Sequence, residues 1–319
     1  MPVRRSLTPF AWLSIAAALV TMGMKAAAYL LTGSVGLLSD AVESSVNLVA
    51  ALVALVALRV AARPPDEEHA YGHAKAEYFS AAIEGAMILV AAGSIVYAAI
   101  DRLLHPVQLE QLGIGLVVSV VAAFVNLAVA LVLLRVGTRH RSITLEADGR
   151  HLLTDVWTSA GVVVAVGAVA MTGWELLDPI IAIAVATNIV VAGWALVRRS
   201  ALGLMDVAVP AEQRAAIERV LASHSGPSVQ FHALRTRQAG PRSFVSFHLL
   251  VPRSWTVQEA HDLAERVEAD LHAVIPGLTV EVHIEPLEDP RSFADEDLDR
   301  LPVPPSARPG ADTPSSTRH

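Results

Sequence analysis

The feature that most constrains the fold of this chain is a series of six apolar runs, each long enough to cross a lipid bilayer. An α-helix needs about 20 mostly apolar residues to span a hydrocarbon core of about 30 Å. The first run is longer than the apolar region of a signal peptide, and no small-residue cleavage site follows it, so we expect it to be retained as a span. The runs are residues 10–31, 35–60, 74–100, 112–136, 152–171 and 179–197.

The composition agrees with a membrane domain that has a soluble part attached. Of the 319 residues, 53% are hydrophobic and 17% are charged, whereas soluble domains contain about 25% charged residues. The formal net charge of −7 argues against nucleic acid as a partner. The chain has no cysteine, so any bound metal must be held mainly by nitrogen and oxygen atoms.

The basic residues that flank the spans indicate their orientation, because cytoplasmic loops carry an excess of Lys and Arg. One side has Arg102 with His105 and acidic residues, and we expect that side to be outside. Lys25, within the first span, is interpreted as a side chain that reaches toward the outer interface. The other side carries Arg4, Arg5, Arg59, Arg63, Lys75, Arg135, Arg139, Arg141, Arg150, Arg198 and Arg199. We therefore expect a multi-pass protein of the inner (plasma) membrane, embedded in lipid, with both termini in the cytoplasm.

From Asp206 onward the pattern changes to that of a small soluble domain. Two segments repeat apolar residues at helical spacing, and three segments alternate as strands do. In chain order these segments are residues 211–223, 229–237, 243–251, 257–274 and 278–285. The order αββαβ predicts an α+β domain with its helices on one face of the sheet.

The chain therefore divides into four parts. Residues 1–9 form a cytoplasmic N-terminus, and residues 10–207 form an all-α transmembrane domain of six helices. Residues 208–288 form the cytoplasmic αββαβ domain. Residues 289–319 are rich in Pro, Ser, Asp and Arg, a composition that predicts a disordered tail.

Polar side chains at helical spacing occur in the second and fifth spans. Glu43 and Asn47 are four residues apart, as are His151 and Asp155, so each pair shares one face of its helix. At a rise of about 1.5 Å per residue, Glu43 lies about 12 Å from the start of its span, and Asp155 lies about 13 Å from Glu146. The two pairs can therefore meet near the middle of the bilayer, where ionisable residues are costly and mark functional sites.

Four donor atoms from two such pairs fit a tetrahedral metal site. Two carboxylates neutralise a divalent cation, and an imidazole adds a donor that also binds a proton near neutral pH. Metal binding would displace that proton, which is the minimum chemistry of proton-coupled exchange. The alternative is that such polar groups only hydrogen-bond between helices, which is our interpretation of Asn126, Asp148 and Asn188. Asp40, one turn before Glu43, is a candidate entry or supporting residue.

Three segments carry a resemblance to a known family. Residues 33–41, GSVGLLSDA, resemble the entry to the second span of cation diffusion facilitators, and residues 151–155, HLLTD, resemble the family's motif in the fifth span. Residues 69–77, HAYGHAKAE, are similar to the family signature H-x-F/Y-G-H-x-K-x-E ahead of the third span. The resemblance covers residues 10–287 and points to a bacterial zinc or iron efflux transporter rather than an enzyme.

The resemblance also implies a set of metal sites. The transport site takes one pair from each of two spans, here Glu43, Asn47, His151 and Asp155. A second site lies in the loop between the second and third spans, here Asp66, His69 and His73. A binuclear zinc site, structural or regulatory, lies in the cytoplasmic domain, here His232, His248, His261, His283 and Glu285. The alternation of the strands places His232, His248 and His283 on the face of the sheet away from the helices.

The family further implies a homodimer that forms through this face of the cytoplasmic domain. Lys75 and Asp206 match an inter-subunit salt bridge near the dimer hinge. An exposed pair of this kind contributes only about 0–1 kcal/mol, so its value would lie in geometry.

One position departs from the family pattern. The pair in the second span is commonly Asp/Asp or His/Asp, but here it is Glu43 and Asn47. An amide cannot release a proton, so the metal and the number of exchanged protons stay open. Zn²⁺ is the first candidate, Mn²⁺ or Fe²⁺ also suits an oxygen-rich set with one imidazole, and Co²⁺ and Cd²⁺ are further candidate substrates.

These observations together predict a divalent transition-metal efflux transporter. It would work as a homodimer by alternating access, exchanging metal for protons. A membrane metal sensor or scaffold without flux is the alternative. An intramembrane metalloenzyme is disfavoured because the chain has no H-E-x-x-H motif.

Overall fold

The computed structural model describes residues 7–32, 35–105 and 113–293, and for residues 32, 35–43, 113–115 and 170 it describes the backbone alone. Two compact units make up the chain, Met1–Met205 and Asp206–His319. The predicted N-terminal segment 1–9 and tail 289–319 lie largely outside the described residues.

Six long helices form the first unit, and each is long and apolar enough to cross a membrane. They are α1 (Thr8–Thr32), α2 (Val35–Ala61), α3 (Ala76–Leu104), α4 (Gly113–His140), α5 (Ile143–Thr172) and α6 (Leu177–Leu204). Each predicted run lies within one of these helices or overlaps most of it. The predicted all-α membrane domain of six helices is therefore confirmed.

The start of α5 differs most from the sequence expectation, since the helix begins nine residues before position 152. Hydropathy underestimates this end because its first turns hold polar residues. Ser142 caps the helix by accepting a hydrogen bond from the Leu145 N–H. The following polar residues are buried against other helices: Glu146 pairs with Arg199 of α6, and Asp148 accepts a hydrogen bond from Ser14 of α1 over 2.9 Å.

The apolar core of the first unit consists of two clusters that share α5. One cluster joins α1, α2, α4 and α5 and contains Leu55, Leu133 and Leu152. The other joins α3, α5 and α6 and contains Ile88 and Ile189. The helices α3 and α6 pack as one close pair, and α5 packs against both groups.

The second unit has the predicted αββαβ order, which is confirmed. Its elements are α7 (Ala211–His224), β1 (Gln230–Ala239), β2 (Arg242–Val251), α8 (Val257–Val274) and β3 (Leu278–Pro286), followed by a 3₁₀ helix at Pro290–Phe293. The start of α8 is fixed by a capping box, in which Thr256 and Glu259 bond each other's backbone N–H.

The sheet has the order β1-β2-β3, with β1 and β2 antiparallel and β2 and β3 parallel. Alternate residues of β2, among them Val245, Phe247 and Leu249, pack against Ile217 of α7 and Val267 of α8 in one apolar core. The helices therefore cover one face of the sheet. The alternating side chains on the other face do not pack in this core and are available to bind a ligand.

An irregularity interrupts β1 next to a predicted site residue. The pairing shifts between His232 and Arg235, and Ala233 has a φ of 50°. Such a bulge adds a residue to one strand and reverses which side chains face the core beyond it. His232 lies just before the shift and keeps its place opposite His248.

Candidate metal sites

The central polar cluster lies where α2 and α5 meet inside the first unit. Asn47 and His151 are buried, with 5% and 4% exposure, and Asp155 is partly buried. The Asn47 Nδ2 donates to Asp155 Oδ2, and the His151 Nε2 lies 2.8 Å from Asn47 Oδ1. These three predicted site residues are therefore brought together, although they are 104 and 108 residues apart in the chain.

The partners fix the orientation of the amide. A carboxylate oxygen only accepts hydrogen bonds, so the NH₂ group of Asn47 must face Asp155. The amide oxygen then faces the imidazole, and His151 Nε2 carries the hydrogen of that bond. A metal ion that binds here must replace these hydrogen bonds with coordination bonds.

Asn126 on α4 adds a third helix to this cluster. Its Nδ2 donates to Asp155 Oδ2 over 3.0 Å, and its own Oδ1 is buried without a hydrogen-bond partner among the described residues. The sequence predicted an interhelical hydrogen bond for Asn126, and it makes one. The sequence did not predict the contact between Asn126 and Asp155, because the position of Asn126 in its apolar run does not show which helix its side chain faces.

The fourth predicted member of the cluster is Glu43. Its backbone lies on α2, one turn before Asn47, and its side chain lies outside the described residues, as does that of Asp40. The helix therefore carries Glu43 on the same side as Asn47, and its role as a ligand stays a prediction.

The loop between α2 and α3 holds a second group of candidate ligands, the loop cluster: Asp66, His69 and His73. One ligand atom from each lies within 4.8 Å of the others. Asp66 Oδ1 lies 3.1 Å from His69 Nδ1, and Asp66 Oδ2 lies 3.3 Å from His73 Nε2. The two imidazole rings are 4.4 Å apart between centroids, so one ion could contact all three residues.

The electrostatics of the loop cluster favour an ionised carboxylate. Desolvation acts to raise the pKa of Asp66, but hydrogen bonds from the His69 N–H and ring and the nearby His73 ring lower it overall. An ionised Asp66 is available as an oxygen ligand. The two histidines of the loop cluster differ in exposure. The ring of His69 is exposed, whereas that of His73 is largely buried, and His73 Nδ1 lacks a hydrogen-bond partner among the described residues.

The third group, the sheet cluster, lies on the face of the sheet opposite the helices. His232, His248 and His283 are cross-strand neighbours on β1, β2 and β3. Glu285 Oε2 lies 3.1 Å from both His232 Nε2 and His248 Nδ1, and its Oε1 lies 3.4 Å from His283 Nε2. One carboxylate thus contacts three imidazoles.

The one remaining predicted member, His261, forms no hydrogen bond or ion pair with this cluster within the described part of the chain. His261 on α8 lies 3.9 Å from Glu265 of its own helix, and both are exposed. Phe293 of the 3₁₀ helix contacts the edge of the His232 ring, with centroids 5.9 Å apart. Sequence reasoning missed this aromatic contact because residues 289–319 were predicted to be disordered.

The predicted Lys75–Asp206 salt bridge involves residues that belong to different units. Lys75 Nζ donates to the carbonyl oxygen of Leu204 over 3.3 Å. Asp206 Oδ1 lies 3.5 Å from Arg237 Nη1, and its φ is 58°. The inter-subunit pair stays a prediction.

Comparison with known proteins covers nearly the whole chain. The model of the cation efflux transmembrane domain matches residues 11–205, and that of the cation efflux protein cytoplasmic domain matches residues 209–287. An uncharacterised transporter, sll1263 of Synechocystis, is 51% identical over 98% of this chain and 99% of its own. The cation-efflux pump FieF of Serratia proteamaculans is 33% identical over 85% of this chain and 90% of its own. A solved structure of CzrB matches 24% of this chain and 96% of its own at 40% identity, with a TM-score of 0.23.

Six apolar helices followed by an αββαβ domain, with these two domain matches, define a multi-pass membrane transporter. The chain belongs to the cation diffusion facilitator family of cation-efflux transporters. This is a family of transporters and not of enzymes, which agrees with the sequence prediction.

Proposed function

We propose that this transporter exports divalent transition-metal ions from the cytoplasm through a site formed by Glu43, Asn47, His151 and Asp155. It acts as a homodimer and works by alternating access. Zn²⁺ is the first candidate substrate, and Mn²⁺ or Fe²⁺ are alternatives that the oxygen-rich set allows; Co²⁺ and Cd²⁺ complete the panel to be tested.

The observation that carries the proposal is the contact between Asn47, His151 and Asp155. Their side-chain hydrogen bonds join α2 to α5. Both helices belong to the family's transmembrane domain. A buried amide, imidazole and carboxylate within hydrogen-bond distance offer an ion several donors in a place where water is scarce.

Proton exchange is proposed for the same residues. A metal ion coordinates imidazole through a lone pair, so a His151 ring that carries a proton on both nitrogens in the empty site would have to release one of them when metal binds. Binding of metal from one side and of protons from the other then alternates at one site. Asn47 takes no part in this proton transfer, because an amide does not ionise in this range.

The loop and sheet clusters are proposed as additional metal sites. The sheet cluster, with His261 as a further ligand, would hold zinc and support the dimer, and Lys75 and Asp206 would pair across subunits. The match to the family's cytoplasmic domain supports dimerisation. The basic residues beside the spans support cytoplasmic termini in an inner (plasma) membrane.

Metal flux into proteoliposomes tests the central site directly. Asp155→Ala should abolish flux, at least 100-fold below the native protein, in a protein that remains folded and inserted. Thr187→Ala is a matched control, because its hydroxyl bonds only a carbonyl of its own helix α6, and it should transport normally. Normal flux by Asp155→Ala would refute the site. Absence of flux from the native protein, with metal binding retained, would favour the sensor or scaffold alternative.

A further inference from the structure

Asn126 is a polar side chain near the middle of an otherwise apolar helix. Between Gly113 and Leu134, the polar side chains of α4 are those of Ser119 and Asn126. The side chain of Asn126 is buried, with 4% exposure. A polar group at this depth is costly unless it bonds another helix or serves an ion, so the partners of its amide indicate its role.

The two ends of the Asn126 amide differ in their partners. Nδ2 donates to Asp155 Oδ2 over 3.0 Å and so connects α4 to α5. Oδ1 is buried and has no hydrogen-bond partner among the described residues. The bond between helices accounts for the nitrogen but not for the oxygen, and a buried acceptor without a partner is unfavourable. An amide oxygen with both lone pairs unused, beside a carboxylate, is a donor atom that a cation can use.

Asn126 has the same relation to Asp155 as Asn47, which is already a member of the proposed transport site. The Nδ2 atoms of both amides donate to Asp155 Oδ2. Two amides, one from α2 and one from α4, therefore face one carboxylate oxygen. An ion bound by Asp155 would be next to both amides, and α4 is a third helix that can supply a ligand.

The distance between Asn126 and Asp155 suits a shared ion. Rotation about the Cβ–Cγ bond exchanges the two ends of the amide and brings Asn126 Oδ1 to the place of Nδ2, which is 3.0 Å from Asp155 Oδ2. Two oxygens that bind one ion at about 2.1 Å are about 3.0 Å apart in an octahedral site and about 3.4 Å apart in a tetrahedral site. Rotation of this one side chain is therefore enough, and α4 need not move.

We propose that Asn126 Oδ1 is a fifth protein ligand of the transported ion and shifts the preference of the site from Zn²⁺ toward Mn²⁺. This role depends on the proposed function, because it adds a donor to the site of Glu43, Asn47, His151 and Asp155. Zn²⁺ in proteins favours four tetrahedral ligands, whereas Mn²⁺ suits octahedral, oxygen-rich sets. A fifth donor that is an amide oxygen therefore favours Mn²⁺.

Asn126→Leu in the purified full-length protein tests this role, because leucine has a similar shape and neither donates nor accepts hydrogen bonds. Co²⁺ serves as the optical probe, since four-coordinate Co²⁺ absorbs visible light more strongly than five- or six-coordinate Co²⁺. Subtracting the spectrum of Asp155→Ala removes the ions at the loop and sheet clusters. In Asn126→Leu the remaining absorption should rise, and Mn²⁺ affinity should fall about 10-fold while Zn²⁺ affinity falls less than about 3-fold.

Asn188→Leu on α6 is the matched control, because it makes the same substitution in another span, and it should leave the spectrum and both affinities unchanged. An unchanged Co²⁺ spectrum in folded Asn126→Leu, or an equal loss of Mn²⁺ and Zn²⁺ affinity, would overturn the proposal. Asn126 would then serve only as a hydrogen-bond donor that positions Asp155.

If Asn126→Leu does not fold, X-ray absorption of Mn²⁺ bound to the native protein decides the matter, again with Asp155→Ala as the background. Five or six ligands would support the proposal, and four would contradict it. Asp155→Ala that binds as much metal as the native protein would instead refute the central site itself. The failure of the proposed function is thereby distinguished from the failure of Asn126 as a ligand.

Discussion

At the scale of single residues, Asn47 has the most informative position in this transporter. Its amide donates to Asp155 and accepts from His151, so one side chain connects both members of the α5 pair. An ion that binds here competes with these hydrogen bonds, and buried polar groups left unpaired are costly. The affinity of the site therefore depends on how well the ion replaces both bonds at once.

Asn47→Asp tests this arrangement because the two side chains have the same shape. The change replaces the NH₂ group that faces Asp155 with a carboxylate oxygen, so two negative groups meet. Without metal, the variant should be less stable, and a dication should bind at least 10-fold more tightly because it relieves the repulsion. The order of preference among Zn²⁺, Mn²⁺, Fe²⁺, Co²⁺ and Cd²⁺ should also change, and turnover should fall as release slows.

Metal affinity and relative flux of the folded variant are the measurements. Asn188→Asp on α6 is a suitable control for adding a carboxylate to a span outside the central cluster. Unchanged affinity together with an unchanged order of metals would remove Asn47 from the ligands of the site.

At the scale of helices, the contact between α3 and α6 depends on the absence of side chains. A Cβ at Gly193 would lie 2.9 Å from Ile88 Cγ2, and a Cβ at Gly203 would overlap the ring of Tyr78. Tyr78 is itself buried, at 5% exposure, so its ring has little room to move. These glycines let the two helices approach closely, as small residues do in membrane helix pairs.

Gly203→Ala should therefore destabilise the membrane domain by about 1–3 kcal/mol, the usual cost of overpacking. Gly93→Ala on α3 is the control, because a Cβ there would meet nothing within 4 Å, and it should be neutral or slightly stabilising. Thermal unfolding of both variants in the same detergent gives the comparison. Equal melting temperatures for the two variants would contradict the prediction, because they would show that a side chain at Gly203 does not disturb the packing of α3 against α6.

The start of α5 shows how helices in this unit are set by partners as well as by hydropathy. Ser142 both caps α5 and donates to the buried carboxylate of Glu77 over 2.5 Å. This hydrogen bond connects the start of α5 to the first turn of α3. This contact holds the helix that carries His151 and Asp155 at a defined height beside α3.

At the scale of the whole molecule, the proposed transport is an exchange, and its driving force can be measured. Protons entering from outside would compete with metal for His151, so an outside-acid gradient should drive metal out of the cytoplasmic side. At fixed voltage, collapsing the pH gradient should reduce flux at least 10-fold. Proteoliposomes with a metal-sensitive dye and a potassium-valinomycin clamp provide the measurement.

The matching control is the direction of the gradient. Reversing it should reverse the net metal movement if protons are the counter-substrate. Flux that ignores both the size and the direction of the pH gradient would leave a uniporter, with the same metal site and no proton exchange.

Much of this fold is already specified by the pattern of the sequence. Six runs of apolar residues determine six helices, because a membrane span needs only length and hydrophobicity. The αββαβ order follows from periodicity, and the three strand histidines follow from alternation, since both are local properties of the chain. The pairs at i and i+4 on α2 and α5 are local in the same sense.

The contacts between elements that are distant in the sequence were decided by the tertiary structure alone. The sequence does not show that Asn126 faces Asp155, that Phe293 contacts His232, or that the polar start of α5 is helical. Nor does it show that Ser14 donates a hydrogen bond to Asp148, 134 positions further along the chain. Hydropathy and periodicity record which face of an element is buried, whereas the partner of a buried polar group depends on how the helices pack, and that is a property of the folded chain alone.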